Sequence, residues 1–353
     1  MTKYLNSYYA CSDTCLGFIN YFYNIFESQN LEKLYIIKDY VESDFLSKFA
    51  QYIVNKKYFP EYILCPFNSN RLYGIIIKEL KIAVIDEILY KNNHHLIVEN
   101  IINFNDFYDN SKIIKNKKDI IELKTRKLEY NNLAYKFLKA SNELCENINE
   151  LTNKYINHEK LYYSIERLLN KHVNEKHLQP HSKNNNIDEY KFINSIFLPE
   201  YIKSEIFENE AKQIFYISNE NLLGFYYLKA ISENFKNLCK VICPDALNPE
   251  NLRAVYLKDF KILFVVNNKT NQIYDEKYHF INMERFVSAN LKKENKQKLN
   301  FIKKCYKSVL NESLKYFNEI ENINKNIENI YIPALNTNAQ NNYTEEIINK
   351  ILP

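Results

Sequence analysis

The sequence predicts an α/β protein built of two tandem units, each a mainly parallel sheet followed by a long helical segment. Three observations predict it. The same blocks of residues recur in the same order in each half of the 353-residue chain. Within each half, short and nearly continuous apolar runs suit strands covered on both faces. Towards the end of each half, apolar residues recur every three or four positions, the period of a helix.

The repeat is clearest in one block. Leu72 to Ile82, followed by Ala83-Val84-Ile85, matches Leu252 to Ile262, followed by Leu263-Phe264-Val265. Upstream, Leu34-Tyr35-Ile36-Ile37 matches Ile214-Phe215-Tyr216-Ile217 at the same offset, and an apolar run ending in Cys-Pro lies between the blocks in both halves, at Cys65-Pro66 and Cys243-Pro244. Several blocks in one order point to internal duplication.

Taken in order, 34–38 reads as a buried strand, and Phe45, Leu46, Phe49, Tyr52 and Ile53 share one face of a helix. Tyr62 to Cys65 is a second strand, stopped by Pro66; Ile75–Ile77 and Ile82–Ile85 are two more. Leu133, Phe137, Ala140, Leu144, Ile148, Leu151 and Tyr155 form the first helical stripe. Leu310, Leu314, Phe317, Ile320, Ile323, Ile327 and Ile330 form the second, and both stripes are expected to pack within the chain. The first unit then spans 1–180, with its helical segment at about 116–175. A polar linker spans 181–189, and the second unit spans 190–353, with its helical segment at about 284–350.

Composition narrows function by exclusion. A net charge of +4, with basic residues scattered among acids, argues against a nucleic-acid surface. No apolar run is long enough for a membrane span, and the first residues lack the apolar core of a signal peptide. Seven cysteines, without the spacing of a zinc knuckle, read as reduced thiols in a cytoplasmic protein. Glycine is the most telling count: three in the chain, at Gly17, Gly74 and Gly224.

A strand, a turn and an amphipathic helix are the layout of a phosphate-binding loop, in which glycines let backbone N–H groups converge on an anion and a Lys neutralises it. Thr14-Cys15-Leu16-Gly17-Phe18, the block from Asn68 to Asp86, and Ile330 to Ala334 resemble three segments of a bacterial family of tandem-duplicated P-loop ATPase-like proteins. The resemblance spans nearly the whole chain. It implies two P-loop-NTPase-like units with degenerate loops at 38–47 and 218–227.

Set against that family, the turn after the first strand has lost its glycines. Lys38 is followed by Asp39, Tyr40, Glu42 and Asp44 where the family has Gly, and Phe45 stands at the phosphate-binding Lys; Ser43 and Ser47 complete the loop. In the second half Ser218 opens the turn and Gly224 survives, but Phe225 takes the Lys position and Tyr226 the Mg²⁺-hydroxyl position. Side chains with a Cβ resist the positive-φ turns that an anion nest needs. A carboxylate ~4 Å from a phosphate charge adds several kcal/mol of repulsion at an effective dielectric near 20.

Asp86 and Glu87 end a strand as a Walker B pair would, while the second copy has Val266 and Asn267 there. Capping of that strand in solvent is the simpler expectation for both acids. His94, His95, His172, His177 and His181 read as solvated, and Cys65 and Cys243 as core thiols rather than nucleophiles. The expectation is therefore a pseudo-ATPase that binds or scaffolds a protein partner, without membrane, nucleic acid, metal or cofactor. The alternative is an NTPase that uses Mg-ATP in a non-standard site with Asp86 and Glu87.

Overall fold

The computed structural model describes residues 4, 6–41, 44–90, 99–173, 187–197, 205–235, 239–267 and 276–352. The first half contains β1 (Ser7–Tyr8), the hairpin β2 (Cys11–Thr14) and β3 (Gly17–Asn20), α1 (Phe22–Ser28), β4 (Lys33–Lys38) and α2 (Phe45–Asn55). It continues with β5 (Glu61–Leu64), β6 (Leu72–Ile77), β7 (Ile82–Asp86), α3 (Glu87–Tyr90) and β8 (Glu99–Asn103). Three helices follow: α4 (Asn110–Lys115), α5 (Lys117–Asn153) and α6 (His158–His172). The second half contains β9 (Glu189–Tyr190), α7 (Glu205–Glu210), β10 (Gln213–Ile217), α8 (Leu223–Asn234), β11 (Lys240–Pro244), β12 (Leu252–Leu257) and β13 (Ile262–Val266). It ends with β14 (Tyr278–Ile281), α9 (Ala289–Tyr331) and α10 (Thr337–Ile351).

The two six-stranded sheets share one topology. The first runs β1-β5-β6-β7-β4-β8 and the second β9-β11-β12-β13-β10-β14, the same order with each strand replaced by its counterpart. Only β6 and β12 run antiparallel to their neighbours, so both sheets are mainly parallel. The agreement extends to single residues. Lys81 and Lys261 both adopt left-handed backbone, at φ 55° and 54°, in the turns before β7 and β13. Their carbonyls accept from Glu32 and Lys212 at 2.8 and 2.7 Å. Ile37 lies opposite Asp86 and Ile217 opposite Val266, so Val266 occupies the Asp86 register as expected.

The Cys-Pro match does not hold. Ile63 pairs with Gly74 where Cys243 pairs with Ala254, and Cys65 N–H bonds Arg71 where Asp245 N–H bonds Asn251. Cys65 is therefore the counterpart of Asp245, two residues beyond Cys243. The shared dipeptide is a coincidence of composition.

The helical segments cross between the halves. α5 and α9 lie antiparallel along each other: Ile120 packs with Ile323 and Ile327, and Ile148 with Leu299 and Ile302. On α5 the buried row is Ala134, Leu138, Ser141, Cys145, Ile148 and Thr152, one position round from the expected stripe, with Ala140 exposed. Small residues on that row let α9 approach, and Ser313 Oγ donates to the Ala134 carbonyl at 2.8 Å. The α9 stripe is as expected at Phe317, Ile320, Ile323 and Ile327. Neither helical segment is continuous. The first breaks between Asn153 and His158, where the Asn157 side chain caps α6, and the second between Tyr331 and Thr337, where Asn336 caps α10.

After each break the last helix docks on the opposite half. Leu161 and Ile165 of α6 join the core under α8, and Ile348 and Ile351 of α10 join the core under α2. Matching bridges hold the two crossings, Tyr108 to Leu335 and Val287 to Ile156. Tyr9 and Phe192, also counterparts, exchange two hydrogen bonds of 2.9 Å across the middle. The chain therefore has approximate internal two-fold symmetry, and each sheet is completed by a helix from the other half's segment. The expected linker lies mostly outside the described residues; its last residue, Glu189, is buried in β9.

Candidate functional site

In the first half the turn between β4 and α2 is occupied by the protein itself. Phe45 is 1% exposed; it stacks on Phe49 and packs at a tilt against Phe104, with ring centroids 5.8 and 5.7 Å away. Asp39 accepts from the Val41 N–H at 3.2 Å, from the Tyr108 hydroxyl at 2.5 Å and from the Gln340 amide at 3.2 Å. Burial raises the Asp39 pKa, partly offset by those bonds. Gln340 belongs to α10, so the exchanged helix lies across the turn. What remains is a cavity of about 200 Å³ between α2 and α10. Asp44 is exposed, while Lys38 and Ser47 are half-buried. Glu42 and Ser43 lie outside the described residues.

The second turn is closed differently. Asn221 and Leu222 both take left-handed backbone, at φ 54° and 66°. Leu222 does so without the short polar side chain that eases that conformation. Lys303 of α9 donates to the Asn221 side chain at 2.6 Å. Gly224 is retained for space rather than for positive φ: a Cβ there would sit 3.0 Å from the Ser218 carbonyl, the Asn219 amide oxygen and a Val266 methyl. The Asn219 oxygen accepts the Gly224 N–H at 3.0 Å, and Ser218 Oγ accepts the Met283 N–H at 2.9 Å. Phe225 is buried in the core under α8.

Asp86 accepts the Ile88 N–H at 2.9 Å, which caps α3, and Glu87 is half-buried beside it. His172 is not a solvated linker residue: it packs on Phe215 and His279, at 5.2 and 5.5 Å between centroids, and burial lowers its pKa. His94, His95, His177 and His181 lie outside the described residues. All seven cysteines are free, and burial pushes the Cys65 thiol up. Among the described residues no cluster of His, Cys, Asp and Glu could hold a metal ion. No helix among them is long and apolar enough to cross a membrane.

Two features were not found from sequence. The first is a buried ion cluster on the internal two-fold. Lys191, 2% exposed, lies 2.6 Å from Glu189 and 3.1 Å from Glu61, with its ammonium 4.1 Å from the ring centroid of Tyr8, its own counterpart. Lys78 pairs with Glu61 at 2.5 Å and Lys258 with Glu189 at 2.7 Å. Burial alone would raise the Glu61 pKa, but Lys191 and Lys78 outweigh it and hold the carboxyl at about 2. A lone Lys between two short strands carries no periodic signal, so nothing in the sequence marked it.

The second is a cavity of about 270 Å³ between α5, α9 and the loop after β11. Its polar wall includes Asn142, Asn194, Asp245 and Arg253, and Phe225 and Leu310 form part of its apolar wall. Asn-rich loops are common in this chain, so only the fold reveals which asparagines converge. Comparison with protein families, curated proteins and solved structures found no match to this chain.

Proposed function

We propose that this chain is a pseudo-ATPase: a duplicated P-loop-like scaffold that binds a protein partner and does not hydrolyse nucleotide. The observation that carries the reading is the position of Phe45. Where a phosphate-binding Lys would reach the anion, an aromatic ring is 1% exposed in the core instead. The neighbouring Asp39 carboxylate and the exchanged helix α10 take up the remaining room. In the second half Phe225 plays the same part. Seven free thiols fit the cytoplasmic location that belongs to this reading.

Thermal denaturation with Mg-ATP, Mg-GTP and ADP tests it. A ligand at 100 times its dissociation constant stabilises a protein by about 2.7 kcal/mol, and none of the three nucleotides is expected to do so. A nucleotide-dependent shift that disappears in Asp86→Ala would replace this reading with the NTPase that uses Asp86 and Glu87.

A further inference from the structure

The cavity between α5, α9 and the loop after β11 differs from the two degenerate turns in one respect: its buried polar groups are incompletely satisfied. Asn194 is 3% exposed, and its side-chain oxygen has no hydrogen-bond partner among the described residues. The side-chain oxygen of Asn142, on α5, is buried and unpartnered in the same way. Asp245 is buried too. Its Oδ1 accepts the Leu247 and Asn248 N–H groups at 3.0 and 3.4 Å. Among the described residues its Oδ2 accepts from the Asn194 amide and lies beside Arg253 Nε, each at the long distance of 3.5 Å. A buried acceptor left unsatisfied costs about 1–3 kcal/mol, and two such oxygens, on Asn142 and Asn194, line one space.

Within the lining Asp245 and Arg253 balance each other, and the further charges beside it are carboxylates. Asp245 is joined by Glu146, which accepts from Asn248 at 3.1 Å. Burial first, and then Asp245 and Glu146, push the Cys145 thiol up to about 12. Burial, Glu250, Glu146 and Asp245 push Cys15 up to about 11. Arg253 is the single cation of the lining. Carboxylates and amide oxygens repel phosphate, and the absence of a three-ligand group among the described residues argues against a metal. The apolar wall of Phe225, Leu222 and Leu310 suits a short carbon chain.

We propose that this cavity binds a small organic cation bearing N–H donors, a guanidinium or a primary ammonium, through Asn142, Asn194 and Asp245. Asn219, Leu222 and Phe225 of the second degenerate turn line the same cavity, but the proposal does not rest on the pseudo-ATPase reading, because the three residues that would hold the cation lie outside that turn.

Isothermal titration of the full chain with agmatine and with putrescine tests it. Agmatine carries both cationic groups and putrescine only ammonium, so their relative affinities tell which group the site reads. The expected result is one saturable site for at least one probe, weakened tenfold or more in both Asn142→Leu and Asn194→Leu, each checked for a native far-ultraviolet spectrum. Side-chain amide resonances of Asn142 and Asn194 should shift on titration of the wild-type chain, which keeps the test independent of either variant's folding. Three results would overturn the proposal: no saturable binding of either probe up to 10 mM (roughly −2.7 kcal/mol), binding unchanged in both variants, or inorganic phosphate binding as tightly as the cations.

Discussion

At the end of β5, Cys11, Cys65 and Tyr73 are buried together among apolar neighbours, at 0, 2 and 4% exposure. Their counterparts beyond β11 are Asn194, Asp245 and Arg253, arranged around a polar cavity. The backbone beneath them is unchanged: Cys65 N–H meets the Arg71 carbonyl at 3.0 Å, and Asp245 N–H meets the Asn251 carbonyl at 2.9 Å. Asn68 and Asn248 each accept an N–H two residues on, both at 3.0 Å. Strand pairing and turn chemistry hold a duplicated backbone in place, while the side chains above it are free to become a plug in one half and a recess in the other. The difference between the halves therefore lies in what fills the same frame.

The largest effect is expected where the halves meet asymmetrically, at Lys191 and its counterpart Tyr8. Lys191→Ala leaves Glu61 and Glu189 buried together without their shared cation, and breaking a buried pair in this way costs about 3–5 kcal/mol. Tyr8→Phe removes a hydroxyl that has no hydrogen-bond partner among the described residues, and should cost little. Urea denaturation of both variants measures the contrast; equal losses would mean that the axis is held by packing alone. Acid unfolding sharpens it. Glu61 has a depressed folded pKa, about 2 against an ordinary value of 4.5, so its contribution is present above about pH 4.5 and is lost as pH falls towards 2. In Lys191→Met only Lys78 still opposes burial at Glu61, so the depression of its pKa shrinks and that stretch of the acid-unfolding curve should flatten.

Next in size is a comparison of the two plugs. Phe45→Ala should cost about 3–5 kcal/mol, as expected for a fully buried ring. Phe225→Ala should cost less, because Phe225 already borders a cavity and is 8% exposed. A Phe225→Ala loss as large as that of Phe45→Ala, read from denaturant midpoints, would contradict the picture of one filled and one open site.

A smaller effect separates the two walls. Cys11→Asn places an amide in an apolar cluster and should cost about 1–3 kcal/mol. Asn194→Cys removes an unsatisfied acceptor together with the long 3.5 Å donor to Asp245, and should cost less than Cys11→Asn. Thermal unfolding of the two single variants decides; a neutral Cys11→Asn would show that the first half tolerates the polar arrangement as well.

Much of the frame was legible in the sequence because strands and their turns leave local signals. The paired apolar blocks at 72–85 and 252–265, the α2 face led by Phe45 and the Val266 register all follow from spacing. The exchange of α6 and α10 was not legible. Both helices follow their own sheets in sequence, and amphipathic spacing states only that a face is buried, without naming the half it is buried against. The shifted α5 row has a similar cause: Ala134, Ser141 and Cys145 are small residues chosen for close helix approach, and a search for large apolar residues passes them by. The cavity and the ion cluster bring together residues far apart in the chain, such as Asn142 and Asn194 in one cavity lining and Glu61 paired with Lys191, so no local pattern announces them.

The smallest expected effect bears on the same comparison from the side of function. Phe45→Lys places at this turn the cation that a phosphate loop requires, yet it should confer no measurable ATP affinity in equilibrium dialysis. The missing charge is one of three obstacles: the Val41 N–H that could serve an anion is held by Asp39, and Asp39 itself is tied to Tyr108 and to Gln340 of α10. A lysine at position 45 would also start from a site packed by Phe49 and Phe104, so its ammonium is more easily directed to solvent than to the turn. Adding Asp39→Gly and Gln340→Ala to Phe45→Lys removes the other two obstacles in order. If ATP binding emerged in the single variant, the lack of a lysine alone would separate this half from a working phosphate site, and the closure by α10 would be incidental.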